Sequence, residues 1–144
     1  MFLAPPLPHQ LRQLVGLFVR SQRRHLQPVQ MQPQEHLLLQ LNRLGPVTQG
    51  ELGRTVGLDK SWISRIVDRF VADGLVERLP LPEDRRCLQL RLTPSGGARA
   101  RQLDQLLDAH AAQMLAGIPR AAQPALSAAL QTLIDALQPA EPKT

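Results

Sequence analysis

What this chain lacks narrows its identity before any motif is considered. Cys87 is its only cysteine, so no internal disulfide can staple the fold, which fits a reducing compartment. No apolar run approaches the roughly 18 to 20 residues that a membrane-spanning helix requires. The first residues also lack a basic region followed by an apolar core and a cleavage site. A cytoplasmic protein with no membrane partner is therefore expected. Glycine-rich phosphate loops and nucleophile elbows are missing too, and the four histidines, His9, His25, His36 and His110, are scattered along the chain. Catalysis needs such groups in defined constellations, so the expectation is a protein that is not an enzyme and carries no cofactor.

Acidic residues are scarce where the chain begins. Residues 1–47 hold five arginines against Glu35 alone, residues 48–101 hold ten Lys and Arg against seven acids, and residues 102–144 hold two against four. The formal net charge of +5 is thus confined to the first two thirds. A basic balance steers a protein toward polyanions, although +5 alone also fits proteins that never meet one. With 43% hydrophobic residues in 144, the chain is long enough for one domain with a real core.

The informative stretch runs from Thr48 to Thr93. Thr48 stands three residues before Glu51, the spacing of a capping box that opens a helix, and Gly57 breaks that helix. Asp59 is an N-cap for a second helix, in which Ile63, Ile66, Val67 and Phe70 recur at i, i+3, i+4 and i+7 and make one face apolar. At about 100° per residue, Ser61, Arg65 and Asp68 point the opposite way, with Trp62, Ser64 and Arg69 on the flanks. Hydroxyls and a guanidinium near the N-terminus of such a helix suit base edges and phosphates in a major groove. Ser61, Ser64 and Arg65 are expected at base edges or adjacent phosphates and Lys60 and Arg69 on phosphates, while Trp62 fits packing or DNA contact equally well.

Gly74 stops the second helix, and Leu75–Leu79 reads as a strand. Leu88, Leu90 and Leu92 alternate with Gln89 and Arg91, the period of a strand with one buried face. Between the two lies the charged tip PLPEDRR, Pro80 to Arg86. A hairpin placed here, directly after a recognition helix, is a wing that can lay Arg85 or Arg86 into a minor groove, where negative potential is concentrated. The whole is a winged helix-turn-helix spanning 48–93, in a mainly α (α+β) fold.

These residues resemble the MarR regulators, the multiple-antibiotic-resistance-regulator type. The matching segments are ELGRTVGLDKSWISRIVDRFVADGLVER and EDRRCLQLRLTPSG, the second carrying the D-x-R…LT wing pattern as Asp84, Arg86, Leu92 and Thr93. The resemblance implies that Asp84 braces the wing while Arg86 enters the minor groove. It also implies an effector cleft between the first, second and fifth helices, for which Leu14, Phe18 and Leu37 are the candidate lining and a small aromatic or amphipathic molecule is the candidate ligand.

The flanks read as support. After the proline-rich MFLAPPLPHQ, a helix from about Pro8 to Leu26 carries the stripe Leu11, Leu14, Val15 and Phe18, with Arg12, Arg20, Arg23 and Arg24 on a solvated face. Pro28 and Pro33 bracket a connection to a second helix, Glu35–Leu44, which Gly45 and Pro46 end. Thr93 and Pro94 cap and open a long helix to about Gly117. The last helix, about Ala121 to Leu137, places Leu126, Leu130, Leu133, Ile134 and Leu137 on one stripe and alanines on much of the rest, so a second copy of the chain should cover it. The tail Pro139–Thr144 should be loose. The chain is thus expected to be one domain, 1–144, with 8–26 and 94–137 as dimerisation helices. It should act as a homodimeric transcription regulator on a palindromic double-stranded operator and be released by a small-molecule effector.

Two alternatives keep the fold and change the signal. Glu35, His36, His25 and His110 supply ligand types for a zinc-responsive regulator, but His110 has Leu106 and Met114 one turn away, so no paired helical histidines exist and the expected metal site is none. A thiol sensor would rest on Cys87, whose reactivity Arg85, Arg86 and Arg91 would raise by lowering its pKa.

Overall fold

The computed structural model describes residues 4–29 and 33–138. The expectation of a loose tail after Pro139 falls outside them. The chain divides into two compact units, Met1–Asp108 and Ala109–Thr144.

In the first unit, helix α1 (Leu7–Leu26) starts with proline in its first turn, where the missing N–H costs no bond. Its expected stripe stays largely on the surface: Leu14 and Val15 are 48% and 51% exposed, and Leu11 is exposed as well. Two 3-10 turns, Gln27–Val29 and Pro33–Glu35, follow, so α2 (His36–Leu44) begins one residue later than its spacing predicts. Glu35 belongs to the turn, and Arg99 holds it there through both carboxylate oxygens, at 2.7 and 3.1 Å.

A two-residue strand β1 (Val47–Thr48) comes next, which the sequence does not announce because two residues carry no period. Helix α3 (Gln49–Val56) has the predicted capping box: Thr48 Oγ1 accepts from the Glu51 N–H, and the Glu51 carboxylate accepts from the Thr48 N–H. Helix α4 (Lys60–Ala72) is capped by Asp59. Gly57 and Gly74 follow the two helices at φ 69° and 72°, left-handed backbone that side chains with a Cβ disfavour.

Strand β2 (Val76–Pro80) starts one residue after the predicted Leu75. Leu75 is spent on the turn instead, its N–H donating to the Phe70 carbonyl and its carbonyl accepting from Thr93. Strand β3 (Leu88–Leu92) lies between β1 and β2 in an antiparallel sheet of order β1-β3-β2, with Arg78 opposite Leu90 and Val47 on the other side. The predicted alternation holds only near the helices. Leu90 is buried and Leu92 half-buried, but Leu88 is 45% exposed, because the hairpin there has run out past the core.

That core joins Leu37, Leu38 and Leu41 of α2, Leu52 of α3, Ile63, Ile66, Val67 and Phe70 of α4, Val76 and Leu90 of the sheet, and Ala100 and Leu103 of α5 (Pro94–Leu115). Thr93 caps α5, its Oγ1 accepting from the Gly96 N–H at 3.0 Å and donating to the Gly74 carbonyl. The winged unit is thereby clamped at both ends of its hairpin.

The boundary between units falls within α5, which ends at Leu115, two residues short of the predicted Gly117. The second unit continues through a 3-10 turn, Arg120–Ala122, into α6 (Gln123–Leu137). None of the α6 side chains is buried; Leu130 and Leu133 are each 37% exposed and Leu137 74%.

Candidate nucleic-acid interface

The geometry of α4 follows from its cap. Asp59 Oδ1 accepts from the Ser61 and Trp62 N–H groups at 2.8 and 3.1 Å and from the Ser61 hydroxyl at 2.6 Å. The Ser61 hydroxyl bond, then those from the two backbone amides, hold the Asp59 carboxyl below its ordinary pKa. A serine hydroxyl has one proton. With it given to Asp59, Ser61 offers outward only acceptor lone pairs, which suit a base amino group and not a phosphate oxygen. This narrows the expectation that Ser61 would meet either.

The buried positions of α4 are the four predicted ones, Ile63, Ile66, Val67 and Phe70. Burial of that face turns Lys60, Ser61, Arg65, Asp68 and Arg69 to solvent, with Ser64 half-buried. Trp62 is 38% exposed and outside the core cluster, so its indole stands on the solvent-facing part of the first turn.

The wing is built by Asp84. Its Oδ1 accepts from the Arg86 N–H at 3.0 Å and its backbone carbonyl accepts from the Cys87 N–H at 3.0 Å, while Leu81 donates to the Cys87 carbonyl. This side-chain turn fixes where Arg85 and Arg86 leave the hairpin. Both arginines are exposed.

Cations near the site fall into two sets. Arg78 bonds Asp68 at 2.6 Å and Arg91 bonds Glu77, both within the α4 and sheet framework. Among the described residues no salt bridge involves Lys60, Arg65, Arg69, Arg85 or Arg86. Five cations, on one helix and the adjoining wing, are therefore available to a polyanion. The Asp68–Arg78 tie between α4 and β2 is a contact that sequence reading missed. Its only signal was an acid on the exposed helix face and a basic residue in the strand. Arg54 was also missed. It lines an open groove of about 680 Å³ between α3 and α4, together with Gly50, Gly53 and Lys60, and its signal was its place on the solvent side of the first helix of the pair.

The remaining candidates fare differently. Leu37 is 4% exposed inside the core, whereas Leu14 is half exposed and Phe18 half-buried on α1. Glu35 is committed to Arg99, and among the described residues no three of His, Cys, Asp and Glu are grouped to hold a metal ion. Cys87 is exposed, but its pKa moves opposite to the expectation. The Asp84 carboxylate beside it, 3.7 Å from Sγ, raises the thiol above its ordinary value, and Arg91 is turned to Glu77.

Comparison with known proteins bears on the same elements. A family model described as the MarR family matches residues 31–88. The chain is 35% identical over 69 residues to the multiple antibiotic resistance protein MarR of Salmonella typhimurium, 48% of each chain. It is 39% identical over 69 residues to the HTH-type transcriptional repressor NicR of Pseudomonas putida, 43% of this chain and 44% of that one. The chain spans about half the length of the curated relatives it matches. Among solved structures it resembles wild-type MarR in apo form from E. coli, with a TM-score of 0.79 and 25% identity over 92% of this chain and 98% of that one. It also resembles a cysteine-to-serine mutant of E. coli MarR complexed with operator DNA, with a TM-score of 0.68 and 25% identity over 89% and 93%.

Proposed function

We propose that the chain is a MarR-type transcription regulator that binds operator DNA as a homodimer, a reading supported by the MarR family model over residues 31–88 and by the MarR relatives. The observation that carries this reading is the solvent face of α4. Its opposite face is locked into the core by Ile63, Ile66, Val67 and Phe70, while among the described residues no salt bridge involves Lys60, Arg65 or Arg69, and the Asp84-braced wing follows directly. Arg65 and the lone pairs of Ser61 read base edges in the major groove, Lys60 and Arg69 sit on phosphates, and Arg86 enters the adjoining minor groove. The likeness to a MarR crystallised with operator DNA supports the assignment.

A homodimer is supported by apolar faces left open on a single chain, Leu14, Val15 and Leu17 on α1 and Leu130, Leu133 and Ile134 on α6. A two-fold dimer places two recognition helices on half-sites about one helical turn apart, so the operator is a palindrome. Cytoplasmic location follows from that role, and no helix among the described residues is long and apolar enough to cross a membrane. Release by a small aromatic or amphipathic effector completes the reading. Leu14, Phe18 and Leu37 are its candidate contacts, and such a ligand weakens DNA binding only by the margin with which it prefers the non-binding conformation.

The test is selection from a random duplex library at moderate salt, followed by footprinting. A selected palindrome protected on two successive major-groove faces is the expected result. Recovery of no sequence above background, with a folded protein, would remove the proposal.

A further inference from the structure

On sequence, the arginines of the first helix read as a solvated face. The structure gathers three of them: Arg20, Arg23 and Arg24, with Gln27, line one shallow groove of about 260 Å³ at the C-terminal end of α1. We propose that this groove is a second DNA-phosphate contact, outside the recognition helix and wing. The inference rests on the reading of the protein as a DNA-binding regulator.

Three observations carry it. No acid offsets the cluster: α1 contains no Asp or Glu over its 20 residues, and among the described residues no salt bridge involves these arginines. Like charges at i, i+3 and i, i+4 oppose helix formation, so the arrangement is self-repelling until an anion enters. The favourable field of the helix C-terminus offsets only part of this, chiefly at Arg23 and Arg24 in the last turn.

The second observation is the form of the site. A small-molecule pocket encloses its ligand with apolar walls and a few fixed polar groups. Here the lining is three exposed guanidinium stems and an exposed amide. Guanidinium forks match phosphate oxygens in pairs. The rise from Arg20 to Arg24 is about 6 Å, so the cluster reaches no further than neighbouring phosphates of one strand. An open set of donors suits a backbone that is held without regard to sequence.

The third is placement. α1 belongs to the same compact unit as α4 and the wing, and the net positive charge of the chain lies within residues 1–101.

The experiment compares the salt dependence of operator binding for the full chain and two triple variants. One carries Arg20→Gln, Arg23→Gln and Arg24→Gln; the other, of equal charge, carries Arg12→Gln, Arg101→Gln and Arg120→Gln. The plot of log K against log salt should become shallower by about 0.9 for each phosphate contact removed in the first variant and stay near the parent in the second. Base preference in the selected library should be unchanged in both. Ethylation interference should lose specific phosphates in the first variant alone. Equal slopes in parent and first variant, or an equal fall in both variants, would overturn the proposal, the latter because it reports net charge. So would a slope unchanged on DNA together with a tripolyphosphate-induced rise in melting temperature that the first variant loses, which would make the groove a small-anion site. In each case parental DNA binding persists, so the proposed function stands or falls separately.

Discussion

Asp84 holds two neighbours with opposite consequences. Through its Oδ1 it fixes the backbone at Arg86, and through its charge it raises the Cys87 thiol above its ordinary pKa. The thiolate is the reactive species, so the wing cysteine should alkylate slowly near neutral pH. Asp84→Asn removes the charge, and the rate with iodoacetamide should rise; a rate that is unchanged or lower would mean that the carboxylate does not govern the thiol. Arg65 is the other single residue with a defined expectation. It lies on the exposed side of α4 and in no salt bridge among the described residues, so Arg65→Ala should weaken binding to the selected palindrome by about 1 to 3 kcal/mol and relax preference at the base pair it reads. An unaltered affinity and an unaltered selection profile would take it out of the interface.

The wing behaves as one element. Arg86→Ala should weaken DNA binding mainly through tolerance of the flanking minor-groove sequence, while the melting temperature of the free protein stays nearly constant because Arg86 is exposed at the tip. Asp84→Ala should have the same effect more weakly, since Arg86 keeps its charge and loses only its fixed departure. Wing variants that footprint like the parent would show that the hairpin stays off the DNA. Elements of this kind were legible in the sequence because their signals are local: the Thr48 and Glu51 box, the Asp59 cap, Gly57 and Gly74, and the apolar period of α4 each operate over one or two turns. What was not legible joins residues far apart in the chain. Arg99 grips Glu35 across 64 positions, Arg78 ties to Asp68 through a turn and a strand, and Leu37 goes into the core, which only the packing of α2 reveals. Strand β1 escaped for a different reason: its two residues are defined by pairing with β3 and by no pattern of their own.

At the scale of the whole molecule, the open apolar surface sets the remaining expectation. Leu130, Leu133, Ile134 and Leu137 on α6 are between 37% and 74% exposed, and α1 leaves Leu14, Val15 and Leu17 about half exposed. Exposed apolar helix faces of this kind mark interaction sites, and under the proposed function the partner is a second copy. Leu133→Glu would bury a carboxylate in that contact without disturbing the core of the first unit, to which α6 contributes no residue. It should therefore dissociate the dimer and cost DNA affinity together, because a monomer engages one half-site and loses the effective concentration that links the two. The core signature, read as the thermal transition of the winged unit, should persist. Sedimentation and DNA titration on the same samples decide the matter. A parent chain that is monomeric at micromolar concentration yet binds the palindrome tightly would contradict the dimer, and a Leu133→Glu variant that stays dimeric would move the interface away from α6.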